Sequence, residues 1–450
     1  MTQSEAFQTM LSGANVFLSG PPGSGKSYVL EKFIEQAKLK GQEVAITATT
    51  GIAASLIDGI TIHSWAGLFN HFKEPEIIPK REIFDRIKRT DILIIDEVSM
   101  LSSERLSRLD YVLQSVRASR QALGGIQVIL SGDFFQLPPI ARSSESAYAF
   151  KAQTWRDLNL QVCYLSEQHR QAGNDGLSML LGAMRSSSLN AQHLGLLLDR
   201  RVKPGRDITA LLTHNADVDK LNHERLDKLR GNTYVYEMTA TGPRDMVNEL
   251  KRSVIAPEKL HLKVGAKVMF TANNLALGYA NGTIGTVCRF SHGMPVIELK
   301  DKNLHIKVEP KQWTNLQPEN LKASVYQLPI RLAWAVTIHK CQGMSLDEAE
   351  IDLSRSFTYG MGYVALSRLR DLGGLYLRGL NSRSLEMDPE VKKFDSEIRQ
   401  SSALIQSASK NGSEIRHEEL AALLYANGAN KKFIKLSTGL TVSDLKKILK

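Results

Sequence analysis

The chain has 450 residues, 42% of them hydrophobic, which is too long for one core and enough to fill two to four. Lysine and arginine outnumber aspartate and glutamate by 57 to 47, a formal net charge of +10 that favours polyanions such as nucleic acid without specifying one. No run approaches the roughly 18 apolar residues of a membrane helix and no secretory or transit signal opens the chain. Cys163, Cys288 and Cys341 lie in no CxxC or His/Cys cluster; the expectation is a soluble, cytoplasmic protein without structural zinc.

The first strand, NVFLS (Asn15–Ser19), runs straight into Gly20, Pro21, Pro22, Gly23, Ser24, Gly25, Lys26 and Ser27. The amphipathic segment that follows sets Leu30, Phe33, Ile34 and Ala37 on one helical face. Strand, glycine-rich loop and helix form the context in which GPPGSGKS cradles phosphates: backbone N–H groups turn inward and the helix start attracts anions. Lys26 then reaches the β and γ phosphates and Ser27 ligates Mg²⁺. VAITA (44–48) is the next strand, and a polar stretch from Asn70 to Arg89 interrupts the pattern.

DILIIDEVSM (Asp91–Met100) reads as a buried strand ending in two carboxylates, costly to bury unless a cation is near. Asp96 suits Mg²⁺, usually through water, and Glu97 can orient and deprotonate the attacking water. A further strand, Ile126–Ser131, ends in GDFFQLPP. Strand ends gather at one edge of a parallel sheet, which brings Gln136 beside the γ-phosphate as a neutral sensor, restrained by Pro138 and Pro139. With QVCYLSE (161–167), these runs predict a parallel, two-sided α/β sheet between Ala14 and about Glu167.

The α/β pattern resumes at DITALLTHN (207–215) and returns in QLPIRLAWAVTIH and AEIDL (327–353), predicting a second such domain. Between them, about 260–323, polar and apolar residues alternate between Asn-Gly, His-Gly and Asp-Lys-Asn turns, as in a small antiparallel barrel or meander. The tail after about Glu390 is helical. Its last segment has a helix-turn-helix rhythm, with Lys431, Lys432, Lys435, Lys446 and Lys447 available to DNA or a partner, or else packs on the core.

The run from Asp96 to Ile140 closely resembles the signature of the Pif-type DNA helicases, superfamily one branch B, which include the RecD-like enzymes. The resemblance spans Gln3 to about Leu380. It takes in ITATTGIAA (46–54), TIHSWAG (61–67), LSEQHRQ (165–171), LTHNADVDKLN (212–222), LAWAVTIHKCQGMSL (332–346) and YVALSR (363–368). It implies an α/β fold of two RecA-like P-loop NTPase domains, at 1–165 and at 166–259 with 324–385. A β-barrel-like insertion at 260–323, a segment at 70–89 read equally as a wedge, with Phe72 at its tip and Lys73 beside it, or as a surface helix and loop, and a helical accessory segment at 390–450 complete the expectation.

The same resemblance gives Gln3 the reading of adenine, and Arg170 and Arg368 the contact with γ-phosphate from the second domain. It places Thr49, Gly51, His63, Ser64, Thr337, His339 and Lys340 along the DNA strand, where small, hydroxyl and cationic groups suit phosphate contacts. Trp334 is expected in the core, while Trp65 is read equally as core or stacking platform. ATP and Mg²⁺ are the implied cofactors. The implied partners are single-stranded and forked DNA, with single-strand-binding or replication proteins as candidates, no membrane, and a monomer in solution.

Ala122-Leu123 stands where the family usually has Pro-Phe, Cys341 where it has serine, and Met361 where glutamine is common; none is a catalytic group. The function expected is 5′-to-3′ translocation on single-stranded DNA with unwinding. The alternatives are a translocase that separates no strands and a slow nucleotide-dependent switch.

Overall fold

The apolar, β-branched runs of the first 170 residues cannot stay in water, and they form the centre of a parallel sheet. In the computed structural model, which describes residues 1–68, 81–139, 148–166, 176–299, 303–314 and 323–410, the chain divides into two units. One draws on residues 1–49, 59–173 and the stretch from Met387 onward; the other comprises 50–58 and 174–386.

The first unit holds six strands: β1 (Val16–Ser19), β2 (Val44–Ala48), β3 (Ile60–Thr61), β4 (Ile92–Asp96), β5 (Gln127–Ser131) and β6 (Gln161–Tyr164). All pair in parallel, in the order β3-β2-β4-β5-β1-β6. β1 is buried throughout and β4 and β5 nearly so, as a sheet covered on both faces requires. Helix α1 (Gln3–Leu11) lays Ala6 and Met10, and α2 (Lys26–Leu39) lays Val29, Leu30 and Phe33, against Val16, Leu18, Ile94 and Ile129. Because β4, β5 and β1 are neighbours, their C-terminal ends deliver Asp96, Gly132 and Gly20 to one edge.

Helix α3 (Pro389–Lys410) follows the second unit in sequence yet packs along β6, the edge strand of the first unit's sheet. Ser402 Oγ accepts the Tyr164 backbone N–H at 3.0 Å, satisfying a group that an open edge would leave exposed. Phe394 enters a cluster with Phe17, Phe134, Phe150 and Trp155, stacked on Phe150 at 4.2 Å and edge-on to Phe134 at 5.4 Å.

The second unit has a four-stranded parallel sheet in the order Ala335–Thr337, Ala210–Leu212, Ala349–Leu353, Leu375–Leu380. It also has a five-stranded antiparallel sheet in the order Leu304–Lys307, Met294–Leu299, Ile284–Ser291, Lys267–Phe270, Ile330–Leu332. Val268, Phe270, Val287, Ile297, Ile330 and Trp334 belong to one core there. The antiparallel strands reach beyond the predicted 260–323: Tyr234–Glu237, Thr239–Thr241 and Ser324–Gln327 pair in two smaller sheets. The run QLPIRLAWAVTIH starts at the end of Ser324–Gln327 and holds two further strands, as the chain passes from antiparallel pairing at Ile330–Leu332 to parallel pairing at Ala335–Thr337.

Of the predicted wedge, Arg81–Arg89 is a helix burying Ile83 and Ile87. Residues 70–80 with Phe72 and Lys73, Arg170, and 411–450 with the tail lysines lie outside the described residues. Among the described residues no helix is long and apolar enough to cross a membrane.

Candidate nucleotide site and strand-tracking segments

Gly20–Ser27 joins β1 to α2, with Gly23 and Gly25 at φ of 82° and 87°, a region that side chains disfavour. A Cβ on Gly25 would lie 1.9 Å from Gln3 Nε2, so the loop is glycine there because the Gln3 amide rests against it. Gln3 Nε2 donates to Ser24 O at 3.2 Å. Lys26 Nζ donates to Gly20 O at 2.8 Å and Pro21 O at 3.0 Å, which keeps the ammonium at the loop's mouth. Ser27 stands exposed on the first turn of α2.

Gln3 is fixed although it lies near the first residue. Thr2 caps α1 in a reciprocal pair with Glu5: Glu5 N–H donates to Thr2 Oγ1 at 3.2 Å, and Thr2 N–H to Glu5 Oε2 at 2.8 Å. Gln406 of α3 donates to the same carboxylate at 3.0 Å. Burial opposes the charge of Glu5, yet hydrogen bonds from the Thr2 backbone, Gln406 and the Thr2 hydroxyl hold its carboxyl below the usual value.

Asp96 closes β4. Burial pushes its carboxyl above the usual range, while the Ser131 hydroxyl, the Glu97 N–H and the Lys26 ammonium draw it back down. Glu97 is held at φ 51°, ψ 45°, a left-handed conformation costly for a side-chain-bearing residue. Thr49 Oγ1 donates to Glu97 O at 2.8 Å, and Thr49 N–H to Asp96 O at 3.2 Å. The buried Thr49 hydroxyl therefore ties the end of β2 to the acidic turn.

The stretch after β5 is built against that turn. A Cβ at Gly132 would meet Val98 N at 2.9 Å, so only glycine lets β5 leave the sheet this close to the residue after Glu97. Asp133, 1% exposed, accepts the Phe135 N–H on Oδ1 at 3.2 Å and the Gln136 N–H on its carbonyl at 3.0 Å, which folds the loop. Phe134 anchors it through rings of Phe17, Tyr148, Phe150, Trp155 and Phe394, at centroid distances of 5.0 to 6.0 Å. Gln136 is 6% exposed. An aspartate turn and an aromatic anchor thus hold the loop that carries it, ahead of the two prolines to which the sequence pointed.

In the first unit, Thr61 caps the short helix Ile62–Ala66: its Oγ1 accepts the Ser64 N–H at 3.2 Å and donates to Ser64 Oγ at 2.9 Å. Trp65 is 2% exposed and belongs to the core. His63 Nε2 is enclosed without a hydrogen-bond partner among the described residues, and burial, helped by the Arg105 charge, lowers the imidazole to about 4. Gly51, which belongs to the second unit, starts the helix Gly51–Leu56, capped by Thr50. The unusual Ala122-Leu123 pair forms a tight turn, with buried Leu123 at φ 50° and its N–H donated to Asp110 Oδ1 at 2.7 Å.

In the second unit, Thr337 is buried at a strand end, and its carbonyl accepts the N–H groups of Lys340 at 2.9 Å and Cys341 at 3.1 Å. His339 and Lys340 are half-buried; burial lowers both, aided by His214 for the first and Arg331 for the second. Cys341 donates its thiol to Ile338 O at 3.1 Å, and burial pushes it up to about 12. Arg368 is 4% exposed and donates to Val364 O at 3.0 Å, Ser367 Oγ at 2.9 Å and Met344 O at 3.4 Å. The wholly buried Met361 lies on its helix Met361–Leu366.

A parallel sheet bearing a phosphate loop, an acidic strand end and a buried glutamine at one edge defines a P-loop NTPase. Residues 2–179 match the family model of the PIF1-like helicases, and 245–290 that of the 2B domain of DNA helicase Pif1. The chain is 37% identical to the ATP-dependent DNA helicase Pif1 of Psychrobacter sp. (strain PRwf-1), over 91% of this chain and 72% of that one. The structure of Pif1 helicase from Candida albicans superposes with a TM-score of 0.77 at 30% identity, covering 88% of this chain and 98% of that one. Bacteroides Pif1 bound to single-stranded DNA superposes at 0.67 and 28% identity, covering 92% and 98%. The chain belongs to the PIF1-like family and is an ATP-dependent DNA helicase.

Proposed function

We propose that the protein hydrolyses ATP at the Gly20–Ser27 loop to move 5′ to 3′ along single-stranded DNA and open forked duplexes in replication, recombination or repair. It does so as a cytoplasmic monomer alongside single-strand-binding or replication proteins. The observation that carries the coupling is the Thr49 hydroxyl on Glu97 O, at 2.8 Å. It sets a strand-tracking segment one hydrogen bond from the residue that handles the attacking water.

Gln3 reads adenine from above the loop, Lys26 offsets phosphate charge, Glu97 takes a proton from water, and Gln136 reports the γ-phosphate. Arg368, now held by carbonyls of its own unit, exchanges those contacts for phosphate, and Arg170 contributes the second guanidinium. Gly51, His63 and Ser64 with Thr337, His339 and Lys340 hold the strand by its backbone. The Ser27 hydroxyl and the crowded Asp96 carboxylate are hard oxygen donors that fit Mg²⁺ held chiefly by water and phosphate. Bound there, Mg²⁺ supplies charge neutralisation for the transferring phosphoryl group.

Strand displacement on 5′-tailed, 3′-tailed and blunt duplexes, with ATP and with Lys26→Ala protein, tests this. Displacement confined to 5′-tailed DNA and absent from the variant is expected. Unwinding only from 3′ tails overturns the polarity. ATP turnover without displacement on any substrate overturns the unwinding and leaves a translocase.

A further inference from the structure

Phe357 is 58% exposed, although a phenylalanine ring in water forfeits a burial that folding normally secures. A loose loop does not explain it. Asn381 Nδ2 donates to Ser354 O at 3.2 Å and to Ser356 O at 2.9 Å, and Asp352 Oδ1 accepts from Ser354 Oγ at 2.6 Å. Arg355 pairs with Asp217 at 2.8 Å, and the Arg383 guanidinium lies 4.4 Å from the Tyr359 ring centroid. The backbone is pinned just before a ring left facing solvent, and the Tyr359 side chain is held just after it.

The ring is not isolated. The His339 imidazole lies nearly parallel to it, 17° apart with centroids at 6.1 Å, and the His214 imidazole lies at 5.2 Å. His214 is oriented through its Nδ1, 2.7 Å from Thr213 Oγ1. The carboxylates flanking this loop are already engaged, Asp217 by Arg355 and Asp352 by Arg378 at 3.8 Å, so they do not repel a polyanion as free charges would. His339 is followed directly by the cation Lys340. A flat apolar ring near two imidazoles, one of them next in sequence to a lysine, matches a nucleotide: a base for the ring and a phosphate for the ammonium.

We propose that Phe357 is a stacking platform for a base of single-stranded DNA, with His339 and His214 as its backing. The inference rests on the strand-tracking role given above to His339 and Lys340. Phenylalanine offers no hydrogen bond, so the platform accepts any base, which suits a motor that passes over every sequence.

Binding of a labelled short oligothymidylate to Phe357→Ala, Phe357→Leu and Phe357→Trp proteins, and to the wild type, tests it, with far-ultraviolet circular dichroism confirming the fold of each. Alanine and leucine are expected to weaken binding about tenfold, while tryptophan preserves it. On an abasic oligonucleotide the wild type loses its advantage over the alanine variant. Wild-type affinity in the leucine variant, or an equal alanine deficit on abasic DNA, overturns the platform. A wild type that binds neither oligonucleotide refutes instead the strand-tracking reading beneath it.

Discussion

Replacing Phe394 with alanine removes the ring through which α3 meets the loop carrying Gln136. The side chain is half-buried and touches Phe17, Phe134, Phe150 and Trp155, with the Phe150 contact stacked at 4.2 Å and 9°. A fully buried Phe→Ala change costs about 3–5 kcal/mol, so roughly half to two thirds of that, about 2–3 kcal/mol, applies here. For a domain of about 150–250 residues, each kcal/mol moves the midpoint by about 2–4 °C, giving a fall of roughly 4–12 °C. Differential scanning calorimetry reads it, and Phe394→Leu should recover about half, since it restores apolar volume without the ring geometry. Because Phe134 loses an edge contact two residues before Gln136, DNA-stimulated kcat should fall several-fold while the KM for ATP stays near wild type. An unchanged midpoint for Phe394→Ala would refute the packing of α3, and an unchanged kcat would refute its hold on the loop.

Gln136→Ala should still bind a fluorescent ATP analogue but lose the stimulation of turnover by single-stranded DNA; full stimulation in the variant would exclude the sensor role. His63 makes a prediction for pH. Its folded value, about 4, lies below the ordinary 6.5, so the unfolded chain binds more protons in between. Its contribution is complete above about pH 6.5 and is lost as pH falls toward 4, by an upper bound of about 3 kcal/mol. Urea titrations across that range should show a shallower pH dependence for His63→Gln than for wild type, and parallel curves would count against the buried imidazole.

The phosphate loop and acidic pair were legible because their chemistry demands fixed residue types at fixed spacing beside a strand. The motifs singled out the loop of Gln136, but not the aromatic anchor that packs it. Phe134 finds its partners at 148–155 and at Phe394, and no local pattern links positions so distant. The bond from the Thr49 hydroxyl to Glu97 O was not legible, because a hydroxyl's partner is a matter of tertiary distance. The antiparallel strands before 260 escaped notice because Thr239–Thr241 is exposed along its length and Tyr234–Glu237 nearly so, leaving no alternation to detect. Left-handed Leu123 could not be anticipated from a residue type that rarely adopts that conformation.

The return of α3 to the first unit sets an order on synthesis. When the ribosome has delivered residue 173, the sheet of that unit is complete in strands, yet the helix that covers β6 begins only after residue 386. At about 5–20 residues per second, the intervening 213 residues (386 minus 173) take roughly 10–40 s, during which the Phe17–Phe134–Trp155 face and the β6 edge await their cover. The nascent chain therefore carries an apolar face and an unpaired edge that a chaperone can recognise, and the nucleotide-binding half matures only after its neighbour has been made.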